Sequence, residues 1–311
     1  MPDPSTKTLR IGTRRSALAR WQAEWVASAL QAHGHDVILV PIVTRGDTDQ
    51  AQPLGAIGGD GLFTKELQRA LLADEVDLAV HSLKDLPTEF VPGLTVAATP
   101  ERAPTADALV SRSGVLLADL PAGAKIGTGS LRRRAQLWHA RADLTMHNIR
   151  GNVDTRLRKL AEGEFDAIVL AEAGLSRLGL AERITERLSP PLMLPAVGQG
   201  ALGLECRADD METRAALADL DHASTHVAVL AERALMRSLA GGCLAPIAAI
   251  GQVKADGQLH LSAVVLSGDG KTRLAAEGAA AAAEAEPLGQ RVAAQLAEQG
   301  ALALIDAVRR G

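Results

Sequence analysis

The chain has 311 residues, enough for two or three domains with their own cores, and 47% of them are hydrophobic and 23% charged, as in ordinary soluble proteins. The formal net charge of −4 argues against a general basic field that attracts nucleic acid or an anionic membrane. Aromatic residues make up only 2%, which argues against a stacking surface for single-stranded nucleic acid.

Residues 1–9 are polar and lack the apolar core of a signal peptide. No apolar run approaches the roughly 18 residues that cross a membrane. Two cysteines, Cys206 and Cys243, are too few for a disulfide framework. We therefore expect a cytoplasmic protein with reduced thiols that uses neither nucleic acid nor membrane as a partner. Nothing in the sequence indicates an obligate interface, so we expect a monomer.

The first part of the chain alternates strands and single helices, which is typical of a parallel sheet built from βαβ units. The segment at 36–43 is apolar throughout and predicts a fully buried strand. A polar, glycine-rich loop covers 44–61. In chain order the predicted elements are a strand at 9–12, a helix at 16–32, a strand at 36–43, a helix at 62–73 and a strand from Asp77.

A second unit repeats this design. In residues 10–16 and again in 125–130, a strand ends in Ile-Gly-Thr and a serine then begins a helix that contains a tryptophan. The predicted elements that follow the second copy are a strand at 144–149, a helix at 153–162 and a strand at 166–170. The repetition indicates two βαβαβ lobes of related design.

Two proline-rich connections, 87–104 and 190–200, lead out of the first lobe and back into it. The strand predicted at 201–206 then returns to the first sheet. A double crossover of this kind makes a hinge, and we expect a cleft between the lobes that closes around its ligand.

The last part of the chain differs in character. A linker at 209–223 and a helix at 227–239 precede a hairpin that turns at Asp256-Gly257, a strong hairpin signal. The alanine-rich stretch 278–286 is predicted to be helical, because alanine is the best helix former. A closing helix completes a small α+β domain.

The expected fold class is therefore α/β, with two periplasmic-binding-protein-like βαβ lobes joined by a double-crossover hinge, plus the small C-terminal α+β domain. The predicted domains are 1–99 with 200–218, then 100–199, and then 219–311.

One strand end carries polar residues that suggest chemistry. The apolar run 76–80 gives way to His81, Lys84 and Asp85 and is stopped by Pro87. The carboxyl ends of strands are where open α/β sheets bind ligands, so Lys84 and Asp85 are candidates for a site. The alternative is a surface ion pair of little energetic value. His81 is interpreted as a structural residue.

Arginines follow the predicted strand ends in both lobes. Guanidinium groups bind carboxylates in a bidentate fork, and the helix starts at Ser16 and Ser130 add N–H donors. The pattern predicts a site for several carboxylates or phosphates, the alternative being scattered solvated arginines. The arginines concerned are Arg14, Arg15, Arg132, Arg133, Arg134, Arg150, Arg156, Arg158 and Arg177.

Cys243 follows two glycines in a predicted loop, which favours a nucleophile or an attachment point. Cys206 lies within an apolar strand and fits a buried structural thiol. No His/Cys set has zinc-ligand spacing, and no dinucleotide or Walker glycine motif occurs, so we expect neither a metal nor a nucleotide site.

Five motifs in this order and spacing resemble the porphobilinogen deaminase (hydroxymethylbilane synthase) family, from Ile11 to at least Pro246. They are Val-His-Ser-Leu-Lys-Asp-Leu-Pro at 80–87, Gly-Thr-Gly-Ser-Leu-Arg-Arg at 127–133, Asn-Ile-Arg-Gly-Asn-Val-Asp-Thr-Arg at 148–156, Leu-Pro-Ala-Val-Gly-Gln-Gly at 194–200 and Gly-Gly-Cys at 241–243.

The resemblance implies a transferase of tetrapyrrole and heme biosynthesis that joins four porphobilinogen molecules head to tail, releasing ammonia, to give hydroxymethylbilane. It also implies a dipyrromethane cofactor attached through a thioether to Cys243. Asp85 matches the catalytic aspartate of the family. Loss of ammonia leaves an electron-poor azafulvene, and a carboxylate at the pyrrole N–H groups stabilises the positive charge and can relay protons.

The resemblance also implies two sets of binding residues. Those matched to cofactor binding are Lys84, Thr128, Ser130, Arg132, Arg133 and Gly151. Those matched to binding of the substrate or growing chain are Arg14, Ser16, Arg150, Arg156, Arg177 and, in the hinge segment, Gln199.

The sequence departs from the family pattern at three positions. The usual Gly-Gly-Lys-Gly-Leu-Phe has Asp60 in place of lysine, and Ala56 stands where lysine is frequent. Both lie in the predicted loop, so these two positions supply no lysine contact to the growing chain. Gly129 replaces a common serine and removes one hydroxyl donor.

A two-lobed binding protein or sensor for a polycarboxylate ligand is the alternative function. It would share the two lobes and the arginines but would need neither Cys243, nor Lys84 with Asp85, nor a third domain. A phosphate- or nucleic-acid-binding protein is a weaker alternative, because of the net charge and the scarcity of aromatic residues.

Overall fold

The computed structural model of the chain describes residues 7–43, 64–240 and 245–310. The chain divides into two compact units, one formed by Met1–Arg102 with Ala201–His226 and the other by Ala103–Gly200 with Val227–Gly311. The second unit contains both the sheet predicted for the middle domain and the sheet predicted for the C-terminal domain. The division into three domains stays a prediction.

The first unit is a five-stranded sheet in the order β2-β1-β3-β10-β4. β1 is parallel to β2 and β3, while β10 runs antiparallel between β3 and β4, so the predicted return of this strand to the first sheet is confirmed. The elements are β1 (Leu9–Thr13), α1 (Ala17–Ala32), β2 (Val37–Pro41), α2 (Lys65–Leu72), β3 (Leu78–Ser82), β4 (Leu94–Ala98), β10 (Leu202–Arg207), α6 (Met211–Ala218) and the start of α7 (Ala223–Ser238).

The second unit begins with another five-stranded sheet, in the order β7-β6-β8-β5-β9. β6 is parallel to β7 and β8, as β1 is to its two neighbours. The elements are β5 (Asp107–Ser111), β6 (Lys125–Gly127), α3 (Leu131–Ala140), β7 (Thr145–His147), α4 (Val153–Ala161), β8 (Ala167–Ala171), α5 (Glu172–Arg177) and β9 (Glu186–Leu188).

The internal repeat extends to individual hydrogen bonds. Asp77, just before β3, accepts the backbone N–H of Arg10 at 2.9 Å, and Asp166, just before β8, accepts that of Lys125 at 2.8 Å. Each aspartate therefore joins the start of its strand to the start of the neighbouring Ile-Gly-Thr strand. The two sheets share one local design, as the sequence predicted.

The rest of the second unit is a three-stranded antiparallel sheet, β11-β12-β13, whose core contacts α7 and α8. The hairpin turns at Gly257, which has a φ of 80°, as the Asp-Gly signal predicted. The elements are β11 (Ile247–Val253), β12 (Gln258–Leu266), β13 (Arg273–Ala281), α8 (Ala285–Glu298) and α9 (Ala301–Arg310).

The helix predicted over the alanine-rich tract is partly wrong. Residues up to Ala281 belong to β13, which pairs along its whole length with β12, and α8 begins only at Ala285. Helix propensity differs by only about 0.7 kcal/mol per residue among ordinary residues, so the backbone hydrogen bonds offered by β12 outweigh it here.

Two further predictions need correction. β2 is the outermost strand of its sheet and is not fully buried; Ile38 is 50% exposed. The predicted linker at 209–223 contains a helix, α6, whose first turn is capped by Asp210 accepting the N–H of Thr213 at 3.0 Å.

Within the described ranges, no helix is both long and apolar enough to pass through a bilayer.

Candidate functional site

Lys84 and Asp85 lie in a short 3-10 helix, Leu83–Asp85, that directly follows β3. The four residues before Ser82 are buried, whereas Asp85 is exposed. The N–H of Leu83 donates to the carbonyl of Ala201 at 3.0 Å, so the segment is held by the strand entering from the crossover. The structure therefore places the Asp85 carboxylate just after the end of β3, where it is exposed to solvent.

Arg14 and Ser16 follow β1, the parallel neighbour of β3, so both segments leave the same edge of the first sheet. Ser16 is the N-cap of α1, and its hydroxyl accepts the N–H of Ala19 at 3.3 Å. One turn later the buried Gln22 donates to the hydroxyl of Ser82 at 2.8 Å. Gln22 was not singled out in the sequence, although a glutamine on the apolar face of a helix needs a partner.

His81 is buried, and its Nε2 lies 3.0 Å from Oε2 of Glu205 on β10. The other oxygen of Glu205 accepts from Gln68 of α2 at 3.0 Å. These contacts agree with the interpretation of His81 as a structural residue. Glu205 was missed, although a carboxylate within the apolar strand Leu-Gly-Leu-Glu-Cys must be paired when it is buried.

In the second unit, β6 ends at Gly127 and α3 begins with Ser130 as its N-cap. The hydroxyl of the buried Thr128 accepts the N–H of Ser130 at 3.2 Å, and the Ser130 hydroxyl accepts that of Arg133 at 3.4 Å. Both predicted cofactor-binding hydroxyls thus lie at a helix N-terminus, where oriented N–H groups favour an anion.

Arg132 and Arg133, on the first turn of α3, are both buried and share one carboxylate, that of Asp107 at the start of β5. Nη1 of Arg132 lies 2.7 Å from Oδ2, and Nη2 of Arg133 lies 2.7 Å from Oδ1. Burial alone would raise the pKa of Asp107, but the two guanidinium charges outweigh it and hold this pKa well below its usual range. Asp107 was missed in the sequence, where it begins the apolar run Asp-Ala-Leu-Val.

Gln199 lies in the return connection, and Arg177 binds the end of it. Nε2 of Gln199 donates to Oδ1 of Asp107 at 2.9 Å, so this hinge residue joins the buried pair of arginines. Nη2 of Arg177 donates to the carbonyl of Gly200 at 2.7 Å. Burial lowers the pKa of Arg177 to about 10.

The motif around Gly151 is closed by Arg156, whose Nε donates to the Gly151 carbonyl at 2.7 Å. Gly151 has a φ of 104°, and a Cβ there would lie 2.7 Å from the side chain of Thr155, so glycine is required. Arg150, directly before it, is partly buried.

Not every arginine of the predicted set is directed at an anion site. Arg158 forms an exposed i,i+4 ion pair with Glu162 at 2.6 Å. The guanidinium carbon of Arg134 lies 5.1 Å from the centre of the Trp138 ring. Solvated arginines, the alternative interpretation, therefore account for Arg158, whereas Arg134 is partly buried against an aromatic ring.

Of the two cysteines, Cys206 lies among the described residues. Cys206 is buried in β10, and burial raises the pKa of its thiol to about 11, which fits an unreactive structural thiol. Cys243 and the departures Ala56 and Asp60 lie outside the described residues. Gly129 is exposed between β6 and α3.

Comparison with known proteins identifies a family. The family model "Porphobilinogen deaminase, dipyromethane cofactor binding domain" matches residues 9–215, and "Porphobilinogen deaminase, C-terminal domain" matches residues 226–298. A curated protein named porphobilinogen deaminase from Geotalea uraniireducens (strain Rf4) is 50% identical over 296 residues, covering 94% of this chain and 92% of that protein.

Two further relatives carry the same name. The protein from Syntrophotalea carbinolica is 51% identical, covering 96% of this chain and 95% of its own length, and that from Trichlorobacter lovleyi is 50% identical, covering 97% of each. Among solved structures, the methionine-binding protein MetQ aligns with a TM-score of 0.44 and 13% identity, over 68% of this chain and 89% of that chain. The family models and the relatives agree along nearly the whole sequence, and the chain belongs to the porphobilinogen deaminase family.

Proposed function

We propose that this protein is a transferase that condenses four porphobilinogen molecules head to tail, releases ammonia and forms hydroxymethylbilane. The observation that carries the proposal is the match to porphobilinogen deaminases at 50–51% identity over at least 94% of the chain. The alternative, a binding protein or sensor for a polycarboxylate, has no comparable support.

The residues present fit an acid-bearing dipyrromethane. Two buried guanidinium groups already accommodate one carboxylate, that of Asp107, and two hydroxyls lie beside them at the N-terminus of α3. Cationic forks and helix N–H groups are the donors that acetate and propionate side chains require. We assign Thr128, Ser130, Arg132, Arg133 and Gly151 to this group, together with Lys84 of the first unit.

The dipyrromethane, when bound, supplies the covalently held pyrrole end from which the chain is extended, and we propose Cys243 as its attachment point. We assign the second set of residues to the carboxylates of the substrate and of the growing chain. This set comprises Arg14, Ser16, Arg150, Arg156, Arg177 and Gln199.

Asp85 is the proposed catalytic group. When porphobilinogen loses ammonia, the remaining fragment is electron-poor, and a carboxylate at its pyrrole N–H stabilises that charge without forming a covalent bond. The exposed position of Asp85 at the end of β3 makes its carboxylate accessible to substrate. The same carboxylate can accept the proton that each new ring loses.

Intact-mass measurement of the purified protein tests the proposal. We expect wild-type protein to carry an adduct of two pyrrole units and Cys243→Ser to have the unmodified mass. Cys206→Ser is the matched control and should keep the adduct, because Cys206 is buried within β10. An unmodified wild-type mass, with no pyrrole-reactive colour, would contradict the function.

We also propose that the protein is a cytoplasmic monomer with three domains, which correspond to the three sheets formed by the described residues. The net charge of −4 supports the independence from nucleic acid and anionic membranes. Light scattering of the protein as it elutes from a size-exclusion column should give the mass of one chain, 32.4 kDa. A mass of two chains would contradict the monomer.

A further inference from the structure

Asp107 is the centre of a buried polar cluster that the family resemblance does not explain. Its side chain is fully buried. Its carboxylate accepts four hydrogen bonds from the guanidinium groups of Arg132 and Arg133, with donor–acceptor distances of 2.7–3.2 Å. Each arginine also donates to a backbone carbonyl, Arg132 to Leu194 at 2.6 Å and Arg133 to Val169 at 3.0 Å. Both guanidinium planes are therefore fixed from two sides.

The return connection contributes to the same cluster. Nε2 of Gln199 donates to Oδ1 of Asp107 at 2.9 Å and to the carbonyl of Thr105 at 2.8 Å. Gln136 of α3 holds Leu194 through both its amide atoms, accepting the N–H at 2.8 Å and donating to the carbonyl at 3.0 Å. The orientation of Arg132 thus depends on residues 194–199 as well as on its own helix.

The third sheet is joined to this connection by a buried carboxylate. Glu232 of α7 accepts the N–H of Gly198 at 2.7 Å and the N–H of Gly251 on β11 at 2.7 Å. Gly198 immediately precedes Gln199 in the chain. A continuous series of buried hydrogen bonds therefore extends from α7 and β11 through residues 198–199 to Asp107 and the arginines.

Asp107 is the carboxylate that the two guanidinium groups share in a buried region, where removing one partner of an ion pair is costly. Without Asp107, Arg132 and Arg133 would lose this common partner, and the repulsion between their positive charges would no longer be offset by it.

We infer that Asp107 is a positioning residue for the cofactor-binding arginines, and that Gln199 acts through Asp107 by tying it to the return connection. The inference rests on the proposed function. Asp107 binds Arg132 and Arg133, and its role is to hold their guanidinium groups in the orientation in which they bind the carboxylates of the dipyrromethane.

Two variants and two controls test the inference on the purified full-length protein. Asp107→Asn removes the charge at nearly constant volume, and Gln199→Met removes the hydrogen bonds to Asp107 and Thr105 but leaves the ion pairs intact. Asp143→Asn is the matched control, because Asp143 also binds an arginine, Arg141, at 2.7 Å but at an exposed site. Leu120→Ala, in the core of the same unit, controls for loss of stability alone.

The readouts are the adduct fraction by intact mass, its loss over time in dilute acid, and the thermal midpoint. Because the carboxylates of the dipyrromethane must bind before the thioether forms, we expect Asp107→Asn to lower the adduct fraction through a binding equilibrium that is weaker by roughly tenfold to a hundredfold, the effect of losing hydrogen bonds to charged groups. Gln199→Met should weaken the same equilibrium by about threefold to tenfold on the same grounds. Leu120→Ala should lower the thermal midpoint while keeping the adduct, and Asp143→Asn should change neither.

Full adduct with wild-type retention in Gln199→Met, or in a folded Asp107→Asn, would overturn the inference. If Asp107→Asn does not accumulate as folded protein, Gln199→Met decides. The inference would also be overturned if Leu120→Ala, at the same thermal midpoint as Asp107→Asn, lost the adduct to the same extent as Asp107→Asn. Loss of stability alone would then explain the effect. A wild-type protein without adduct would instead contradict the proposed function, so the two failures are distinguishable.

Discussion

His81 and Glu205 lie on neighbouring antiparallel strands with the imidazole Nε2 3.0 Å from the carboxylate Oε2. The register pairs Glu205 with Ala79, two residues before His81, so both side chains lie on one face of the first sheet. Since Asp85 follows His81 by only four residues, this buried contact fixes the strand that carries the proposed catalytic group.

Glu205→Leu should therefore destabilise the protein. It leaves His81 and Gln68 buried without their acceptor, which we expect to lower the free energy of unfolding by about 1–3 kcal/mol in urea denaturation. Glu75→Gln, in an exposed ion pair with Arg69, should change it by less than about 0.5 kcal/mol. Equal changes in the free energy of unfolding for the two substitutions would show that the buried contact stabilises the protein no more than the exposed ion pair does.

Asp85→Asn should keep the fold and prevent chain elongation. The side chain is exposed, so its replacement costs little stability, but the positive charge that develops on the substrate loses its stabilising carboxylate. We expect kcat to fall roughly a hundredfold to a thousandfold, with an unchanged thermal midpoint. Glu89→Gln, an exposed carboxylate shortly after Asp85 in the chain, is the control and should keep wild-type turnover. Near-native turnover in Asp85→Asn would contradict the proposed catalytic role of Asp85.

Gly200→Ala should be more damaging than an alanine at another glycine with positive φ. Gly200 has a φ of 86°, and an added Cβ would overlap the carbonyl oxygen of Ala103. Gly179, with a φ of 70° and no atom within 4 Å of an added Cβ, measures the backbone cost alone, about 1–2 kcal/mol. We expect Gly200→Ala to exceed Gly179→Ala by at least about 1 kcal/mol in unfolding free energy. Similar values would mean that the segments around Ala103 and Gly200 can move apart without loss of unfolding free energy.

Asp77 should contribute to stability in a pH-dependent way. Burial would raise the pKa of its carboxyl, but hydrogen bonds from Arg10 and Lys7 outweigh burial and hold this pKa well below its usual range. A depressed pKa in the folded state adds stability above the unfolded value of about 3.9, and that stability is lost as the pH falls below it.

We therefore expect Asp77→Asn to lower the unfolding free energy by roughly 2–4 kcal/mol at pH 7 and to flatten its decline between about pH 4 and pH 2. Asp306→Asn, in an exposed pair with Arg309, is the control and should leave both the stability and its pH profile unchanged. An unchanged acid profile in Asp77→Asn would contradict the prediction.

Local chemistry in the sequence determined much of the fold. Ser16 caps α1 and Ser130 caps α3 because a hydroxyl before an amphipathic run satisfies an otherwise unpaired N–H. The Ile-Gly-Thr repeat gave two sheets of one design, and Asp-Gly at 256–257 gave the hairpin. The five motifs were sufficient to indicate the family, because their residues and spacing are read directly from the chain.

Tertiary structure decided which strands and charges have partners. β2 is half-exposed because it is the edge of its sheet, and the alanine tract is a strand because β12 lies beside it. The sequence predicts Arg132 and Arg133 as binding residues for the carboxylates of a ligand, but it does not show that both also bind Asp107, which lies about 25 residues earlier in the chain. A sequence shows which groups carry charge, but only the folded chain shows which of them meet, since burial makes each carboxylate and guanidinium depend on a partner from a distant segment.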